Sequence, residues 1–352
     1  MSYKPYDDSS CEESSECLIE PAPRRYVDRP LRSLPDFRAQ VSLLASDVSG
    51  IARFTVDNQL LNPWGSMVVK DTLWVVNSGT NSITSYAAAG NVGKPVGNVI
   101  RTTAKYPTAI CVNPTNCFTV TSNRTSCPAS IIGVTLEGAI FAVSPELDSK
   151  SAMVRVQPPV ASPNQVSVFT SLAIVNHPRG ALLYITDFRQ GVIWVYNSSF
   201  DPVRSFGSDD PSLLGYAPYS ITVCGRYGYV GFAQQDDQAL NPVFKTGVIR
   251  VFELGEDREV PIRNLTHSSQ FNIPSCMAVY KNSMLVVANY GSGHIMVVDL
   301  ASGSVLGTFK DECGNDICLT FVRSIVPCGN RIFFVSAING GQDGLMGMLT
   351  LV

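Results

Sequence analysis

The stretch 284-MLVVANYGSGHIMVVDLASGSVLGTF-309 decides the fold, because it reads as three short β-strands separated by turns. One apolar run ends at Asn289, a second begins after Gly293, and a third follows Gly303. Short apolar runs bounded by Gly, Asn and Asp are typical of strands in an antiparallel sheet. A single unit of this kind cannot bury its apolar faces alone, so a stable fold requires the unit to recur.

The unit does recur along the chain. Copies begin near Met67, Leu182, Thr222 and Ile325, and a degenerate copy occupies residues 130–143. Their third strands align on six apolar residues: Ile83, Ile140, Ile193, Ile249, Ile295 and Met346. A spacing of roughly 50 residues is typical of the blades of a β-propeller. The sequence therefore predicts an all-β fold, a six-bladed β-propeller with four-stranded blades.

The last copy lacks an outer strand. Copies one to five are each followed by a short apolar segment that can form a fourth strand, but the sixth copy is followed only by the end of the chain at Val352. An unpaired strand at that position would expose backbone donors and acceptors. We therefore expect residues 39–46 (AQVSLLAS), just ahead of the first copy, to complete the last blade and close the ring.

This arrangement divides the chain into a propeller over residues 37–352 and a polar N-terminal segment over residues 1–36. The segment has acidic residues followed by Arg24, Arg25 and two more arginines among prolines. Such composition is typical of a flexible tail. A second interpretation is an arm that docks on a neighbouring molecule, with Arg24 and Arg25 as contact candidates.

Charge and hydropathy exclude several classes of partner. The chain has 26 basic and 29 acidic residues, a formal net charge of −3, so no overall field attracts nucleic acid. No apolar run reaches the ~18 residues that a spanning helix needs. The acidic start lacks the apolar core of a signal peptide, so we do not expect export by that route.

Ten cysteines are many for a cytosolic protein, and none forms a C-x-x-C pair, which argues against a zinc site. Cys111 with Cys117, and Cys313 with Cys318, are close enough in sequence to form disulfides in an oxidising compartment. Buried free thiols are the alternative. Asn123, Asn197 and Asn264 begin sequons and are candidate glycosylation sites.

The residues at the starts of the innermost strands indicate whether the channel could bind a metal ion. They read LNPWGS, KYPTAI, FTSLAI, YAPYSI, NIPSCM and FVRSI, and contain no carboxylate. A hard divalent cation needs several oxygen ligands, some of them anionic. We therefore predict no metal, no cofactor and no catalytic residues. Arg323 should instead direct positive charge toward the channel, unless it pairs with a nearby carboxylate.

One loop is longer than its counterparts. Residues 234–246 join the second and third strands of the fourth copy. Long loops on a rigid scaffold often carry recognition. Gln234, Gln235, Asp236 and Asp237 are therefore candidate partner contacts.

The segment 60-LLNPWGSMVVKDTLWVVNSGTNSITSY-86 resembles the opening of a bacterial family of uncharacterised six-bladed, NHL-like propeller proteins with an LVNPWG motif. The similarity continues through 184-YITDFRQGVIWVYNSSFDPV-203 to 339-NGGQDGLMGMLTL-351. Members of that family are usually secreted and sorted to the surface. The resemblance implies the propeller fold but no particular activity.

Together these patterns favour a non-enzymatic scaffold or binding module that contacts a protein or glycan through its loop faces and the N-terminal arm. An extracellular layer or a virus particle is the expected setting, rather than the cytosol. The alternative is a calcium-dependent propeller hydrolase of the lactonase or esterase type.

Overall fold

The computed structural model describes residues 37–157, 166–207, 211–239, 241–244, 246–266 and 271–352. Residues 1–36, and with them Arg24 and Arg25, lie outside the described residues. The described chain begins with β1 (Ala39–Ser46) and the short β2 (Thr55–Val56), which pair in parallel. Six antiparallel sheets, the blades, then follow in sequence order.

Each of the first three blades has four strands, given from the innermost outward. Blade 1 contains β3 (Pro63–Val69), β4 (Thr72–Asn77), β5 (Ser82–Ala87) and β6 (Ile100–Arg101). Blade 2 contains β7 (Pro107–Val112), β10 (Ile131–Thr135), β11 (Ile140–Val143) and β12 (Met153–Val156), with an inserted hairpin of β8 (Thr119–Ser122) and β9 (Thr125–Pro128). Blade 3 contains β13 (Phe169–His177), β14 (Gly180–Asp187), β15 (Val192–Tyr196) and β16 (Pro202–Phe206).

The other three blades follow the same order. Blade 4 contains β17 (Tyr216–Cys224), β18 (Tyr227–Gln234), β19 (Val248–Leu254) and β20 (Glu259–Thr266). Blade 5 contains β21 (Pro274–Tyr280), β22 (Met284–Asn289), β23 (Ile295–Asp299) and β24 (Val305–Thr308). Blade 6 contains β25 (Val322–Cys328), β26 (Arg331–Ile338), β27 (Asp343–Leu351) and β1.

The six blades form a closed ring. The innermost strand of each blade packs against that of the next, and β25 of the last blade packs against β3 of the first. β1 pairs antiparallel with β27, with Ala39 opposite Leu351 and Ser46 opposite Leu345. The six-bladed fold and its closure by an N-terminal strand are therefore confirmed.

The core lies between blades rather than within one layer. Six clusters of buried apolar residues each combine side chains of two neighbouring blades, and the last joins blade 6 to blade 1. The six residues on which the third strands were aligned are all 0 % exposed. This position is apolar in every copy because it faces the next blade, away from water.

Polar residues at the ends of second strands have structural roles. Asn77 donates a hydrogen bond to Thr84 Oγ1 at 2.9 Å, and Asn289 Oδ1 accepts one from the backbone of Asn272 at 3.0 Å. Asp187 accepts hydrogen bonds from two backbone N–H groups. All three are fully buried, so these bonds offset the cost of removing polar groups from water.

Hydroxyl groups link the innermost strands across the joints between blades. Thr108 donates to the Phe169 carbonyl at 2.8 Å, Thr170 to Tyr219 at 2.6 Å, Ser220 to Pro274 at 2.6 Å, and Ser275 to Val322 at 2.9 Å, while Ser66 donates to Ser324 Oγ at 2.8 Å. At the remaining joint Gly65 lies so close to blade 2 that a Cβ would be 2.7 Å from Ala109 Cα. Blades 1 and 2 are therefore joined by close backbone packing at Gly65 instead of by a hydroxyl hydrogen bond.

Helices are nearly absent from the described part of the chain, where two 3-10 turns, Pro211–Leu213 and Asn339–Gly341, are present. No described helix has the length and apolar character needed to cross a bilayer.

Ring closure can be tested by truncation. Removing residues 1–36 should leave the far-UV spectrum and the melting temperature nearly unchanged, because the described ring begins after them. Removing residues 1–46 should give aggregated protein, since β27 then becomes an unpaired edge and buried Leu44 and Ala45 leave the core. Soluble, cooperatively melting protein from the longer deletion would contradict this.

The hydroxyl links make a second prediction. Thr170→Val keeps the shape of the side chain but removes the donor to the buried Tyr219 carbonyl, and should lower the free energy of unfolding by about 1–3 kcal/mol. The control is Thr121→Val on the exposed β8–β9 hairpin, where a change within about 0.5 kcal/mol is expected. Denaturant titration measures both, and equal losses would argue against a specific role for the links.

Candidate functional site

A β-bulge occurs near the start of the innermost strand in all six blades. In blade 1, Pro63 pairs with Asn77 and Ser66 with Val75, so Trp64 and Gly65 together face one residue. The single bulged residues of the other blades are Thr108, Thr170, Tyr219, Ser275 and Arg323. A bulge leaves backbone groups free and redirects a side chain. The fold thus gives each blade one specially directed side chain at the same end of the channel.

These residues surround a cavity of about 190 Å³ on the propeller axis. All six innermost strands contribute to its lining, which is mostly small and polar, with Ser66, Thr108, Ser171, Ser275 and Ser324 among them. The lining contains no Asp, Glu or His, and Arg323 is its one charged residue. The electrostatic character of the channel is therefore set by a single cation.

Two aromatic rings lie close to that cation. The Arg323 guanidinium carbon lies 3.9 Å from the centroid of the Trp64 ring and 5.4 Å from that of Tyr290. Tyr290 stacks on Phe321 at 5.0 Å and on Phe244 at 6.0 Å. We call Trp64, Tyr290, Phe321, Phe244 and Arg323 the mouth cluster. It runs from the axial cavity to Phe244, which is 45 % exposed.

The charge of Arg323 is poorly compensated. Burial lowers the pKa of this guanidinium, and nearby Tyr219 and Tyr290 act in the opposite direction. Its Nε and Nη1 atoms are buried and have no hydrogen-bond partner. No carboxylate of the described residues lies within 4.0 Å of it. Of the two expectations for Arg323, orientation toward the channel is therefore the one that holds.

The long loop of blade 4 reaches the mouth cluster from the other side. Gln235 donates to the carbonyls of Phe188 and Arg189 in blade 3, and Phe244 stacks on rings of blades 5 and 6. Asp236 accepts a hydrogen bond from Asn241 within the loop, while Gln234 and Asp237 are exposed. Gln235 and Asp236 thus hold the loop in place, leaving Gln234 and Asp237 available for contact.

The loop and the mouth cluster lie on one face of the propeller. That face, which we call the loop face, is formed by the segments that lead into the first strands and those that join second to third strands. Phe321 directly precedes β25, Tyr290 directly follows β22, and Phe244 lies between β18 and β19.

Neither predicted disulfide is present, because Cys111, Cys117, Cys313 and Cys318 are all free thiols. Cys111 and Cys117 pack against the apolar cluster between blades 2 and 3, as small apolar side chains do. Cys318 donates to the Ser292 carbonyl at 3.2 Å, and Cys313 is exposed.

Thiol reactivity tests this assignment. Burial raises the pKa of Cys111 to about 12, so very little thiolate forms at pH 8. In native protein given a short pulse of iodoacetamide, Cys111 should be labelled about a hundredfold or more slower than Cys313. Peptide mass spectrometry measures both rates, with urea-unfolded protein as the control. Equal labelling in the native protein would contradict the packed, partly buried position of Cys111.

The three sequons fall in different environments. Asn123 is exposed at the tip of the β8–β9 hairpin, and Asn264 is exposed on outermost strand β20. Asn197 accepts hydrogen bonds from the backbone N–H groups of Ser199 and Asp201, so its side chain is held in a turn. Glycosylation remains a prediction, with Asn123 and Asn264 the more accessible acceptors.

Metal-binding groups do not converge in the described part of the chain, where no cluster of three or more His, Cys, Asp or Glu side chains is found. A hard cation on the axis would meet hydroxyls, carbonyls and an arginine. This donor set lacks the anionic oxygens that calcium prefers.

Comparisons with known proteins give relatives of unknown activity. No family model matches the chain. An uncharacterised protein of Acanthamoeba polyphaga mimivirus is 27 % identical over 88 % of this chain and 80 % of its own length. A second uncharacterised mimivirus protein is also 27 % identical, over 96 % of this chain and 91 % of its own.

Solved structures share the fold at low identity. A structural genomics protein of unknown function from Bacteroides thetaiotaomicron aligns with a TM-score of 0.57, at 11 % identity over 89 % of this chain and 76 % of that chain. A luciferin-regenerating enzyme aligns with a TM-score of 0.55, also at 11 % identity, over 89 % and 95 %. At this identity the comparisons establish the class, a six-bladed β-propeller, and not an activity.

Proposed function

We propose that the protein is a non-enzymatic binding module or scaffold, which contacts a protein or glycan partner through its loop face. The observation that carries this proposal is the composition of the channel mouth. The described side chains that line the cavity there are one arginine, aromatic rings, hydroxyl groups, apolar residues and the Cys276 thiol, without the carboxylate or histidine that hydrolysis commonly uses. Arginine and exposed aromatic residues are instead enriched where proteins bind partners.

The loop of residues 234–246 supports recognition on this face. It bonds to blade 3 through Gln235 and stacks on blades 5 and 6 through Phe244, so its described part is fixed on a rigid scaffold. A surface that is held in place before binding loses less conformational entropy when a partner arrives. Gln234, Asp237 and the exposed part of Phe244 are the proposed contact residues.

The setting that we propose is an assembled layer, and a virus particle in particular. The mimivirus origin of the sequence relatives favours this form. Residues 1–36, with Arg24 and Arg25, are proposed as a second contact that docks on a neighbouring molecule. The resemblance to the bacterial propeller family with the LVNPWG motif supports the same proposal, because members of that family are usually sorted to a surface.

The competing class is a calcium-dependent propeller hydrolase. Calorimetry with calcium distinguishes the two, and we expect no saturable heat at millimolar calcium because the axis lacks anionic ligands. Esterase and lactonase substrates should likewise show no turnover above the rate in buffer, with and without added calcium.

A matched measurement strengthens this test. Ser324→Asp adds one carboxylate to the cavity lining, and any calcium response should increase in that variant relative to the native protein. Tight calcium binding by the native protein, together with turnover, would overturn the proposed function.

A further inference from the structure

The mouth cluster contains a cation without a counter-ion. The guanidinium of Arg323 lies close to the rings of Trp64 and Tyr290, and two of its nitrogens are buried without hydrogen-bond partners. Leaving donors of a charged group buried and unpaired is costly. Such an arrangement is expected where a ligand supplies the missing acceptors. We propose that the mouth cluster is a binding site for a small carboxylate, anchored by Arg323; this inference rests on the proposed binding function.

The charge of the site selects the anion. Arg323 is the one charged residue in the cavity lining, so a ligand with a single negative charge is neutralised on binding. A phosphate group carries up to two negative charges near pH 7 and would retain an uncompensated charge in a buried position. The planar guanidinium also matches the two oxygens of a carboxylate.

The surroundings of Arg323 select the rest of the ligand. Trp64 Nε1 is a second buried donor without a partner, at the same end of the cavity. The rings of Tyr290, Phe321 and Phe244 continue outward from the guanidinium. Of these three rings, which pack on one another, Phe244 is 45 % exposed and can pack against a flat or ring-shaped body whose carboxylate bonds to Arg323. The ligand class is therefore a carboxylate carried on a ring.

Stability separates a ligand-binding role of Arg323 from a structural one. If Arg323 maintains the ligand-free fold, Arg323→Met should lower the melting temperature. If Arg323 instead serves to bind an anion, Arg323→Met should leave the melting temperature of the ligand-free protein unchanged or raise it, because the substitution removes an unpaired buried charge.

Titration with benzoate tests the proposal on the full chain, by calorimetry or by NMR chemical-shift changes. We expect saturable benzoate binding, and binding at least about thirtyfold weaker in Arg323→Met and for the uncharged analogue benzamide. Arg258→Gln, which removes the same charge from an exposed loop, should bind as the native protein does. Inorganic phosphate should bind more weakly than benzoate.

Two further variants keep the test decisive if Arg323→Met does not fold. Arg323→Lys keeps the charge but not the planar donors, and Trp64→Phe keeps a ring but not the N–H group; both should fold and bind benzoate more weakly. Absence of benzoate binding, or equal binding by all variants, would overturn the carboxylate site. Calcium binding with turnover would instead overturn the proposed function, so the two failures are distinguishable.

Discussion

Closure of the ring is the constraint on which the rest of the structure depends. Each blade buries its apolar faces only against two neighbours, and six core clusters join the blades in a circle. The circle is completed when β1 pairs with β27, so residues from the two ends of the described chain share one sheet. The final β25 to β3 contact, the axial cavity and the mouth cluster all require this pairing to be in register.

The innermost strands provide the side chains that form the candidate site in this ring. A bulge at the same place in every blade redirects one side chain, and at four of the six positions that residue is Thr, Ser or Tyr. Blades 1 and 6 depart from the pattern with Trp64 and Arg323, which are neighbours at the joint where the ring closes. The asymmetry of the channel therefore comes from two residues placed side by side by closure.

Much of the fold could be predicted because an internal repeat can be recognised within a single sequence. The alignment on Ile83, Ile140, Ile193, Ile249, Ile295 and Met346 placed every third strand correctly, since burial between blades demands an apolar residue there. The β8–β9 hairpin was missed because it occurs in one blade only. The cysteines of the two predicted disulfides are free thiols in the structure, and proximity in sequence does not reveal that Cys111 and Cys117 pack as apolar side chains.

Only part of the candidate site could be predicted. The sequence placed Arg323 near the channel and the long loop on blade 4. It did not reveal that two of the contact candidates, Gln235 and Asp236, form hydrogen bonds that hold this loop. Phe244, Tyr290 and Phe321 were missed because they are far apart in sequence and meet only when blades 4, 5 and 6 are adjacent. Trp64 lies in the strand start LNPWGS, but the sequence did not reveal that its ring would contact Arg323 across the joint between blades 6 and 1.

A crystal structure of the full chain grown in millimolar calcium tests the closed ring and its cation-bearing channel most directly. We expect six blades, with residues 39–46 as the outermost main strand of the last one, and no metal density on the axis beside Arg323. A different blade number, or a cation coordinated by oxygen ligands on the axis, would contradict both the closure and the character of the channel.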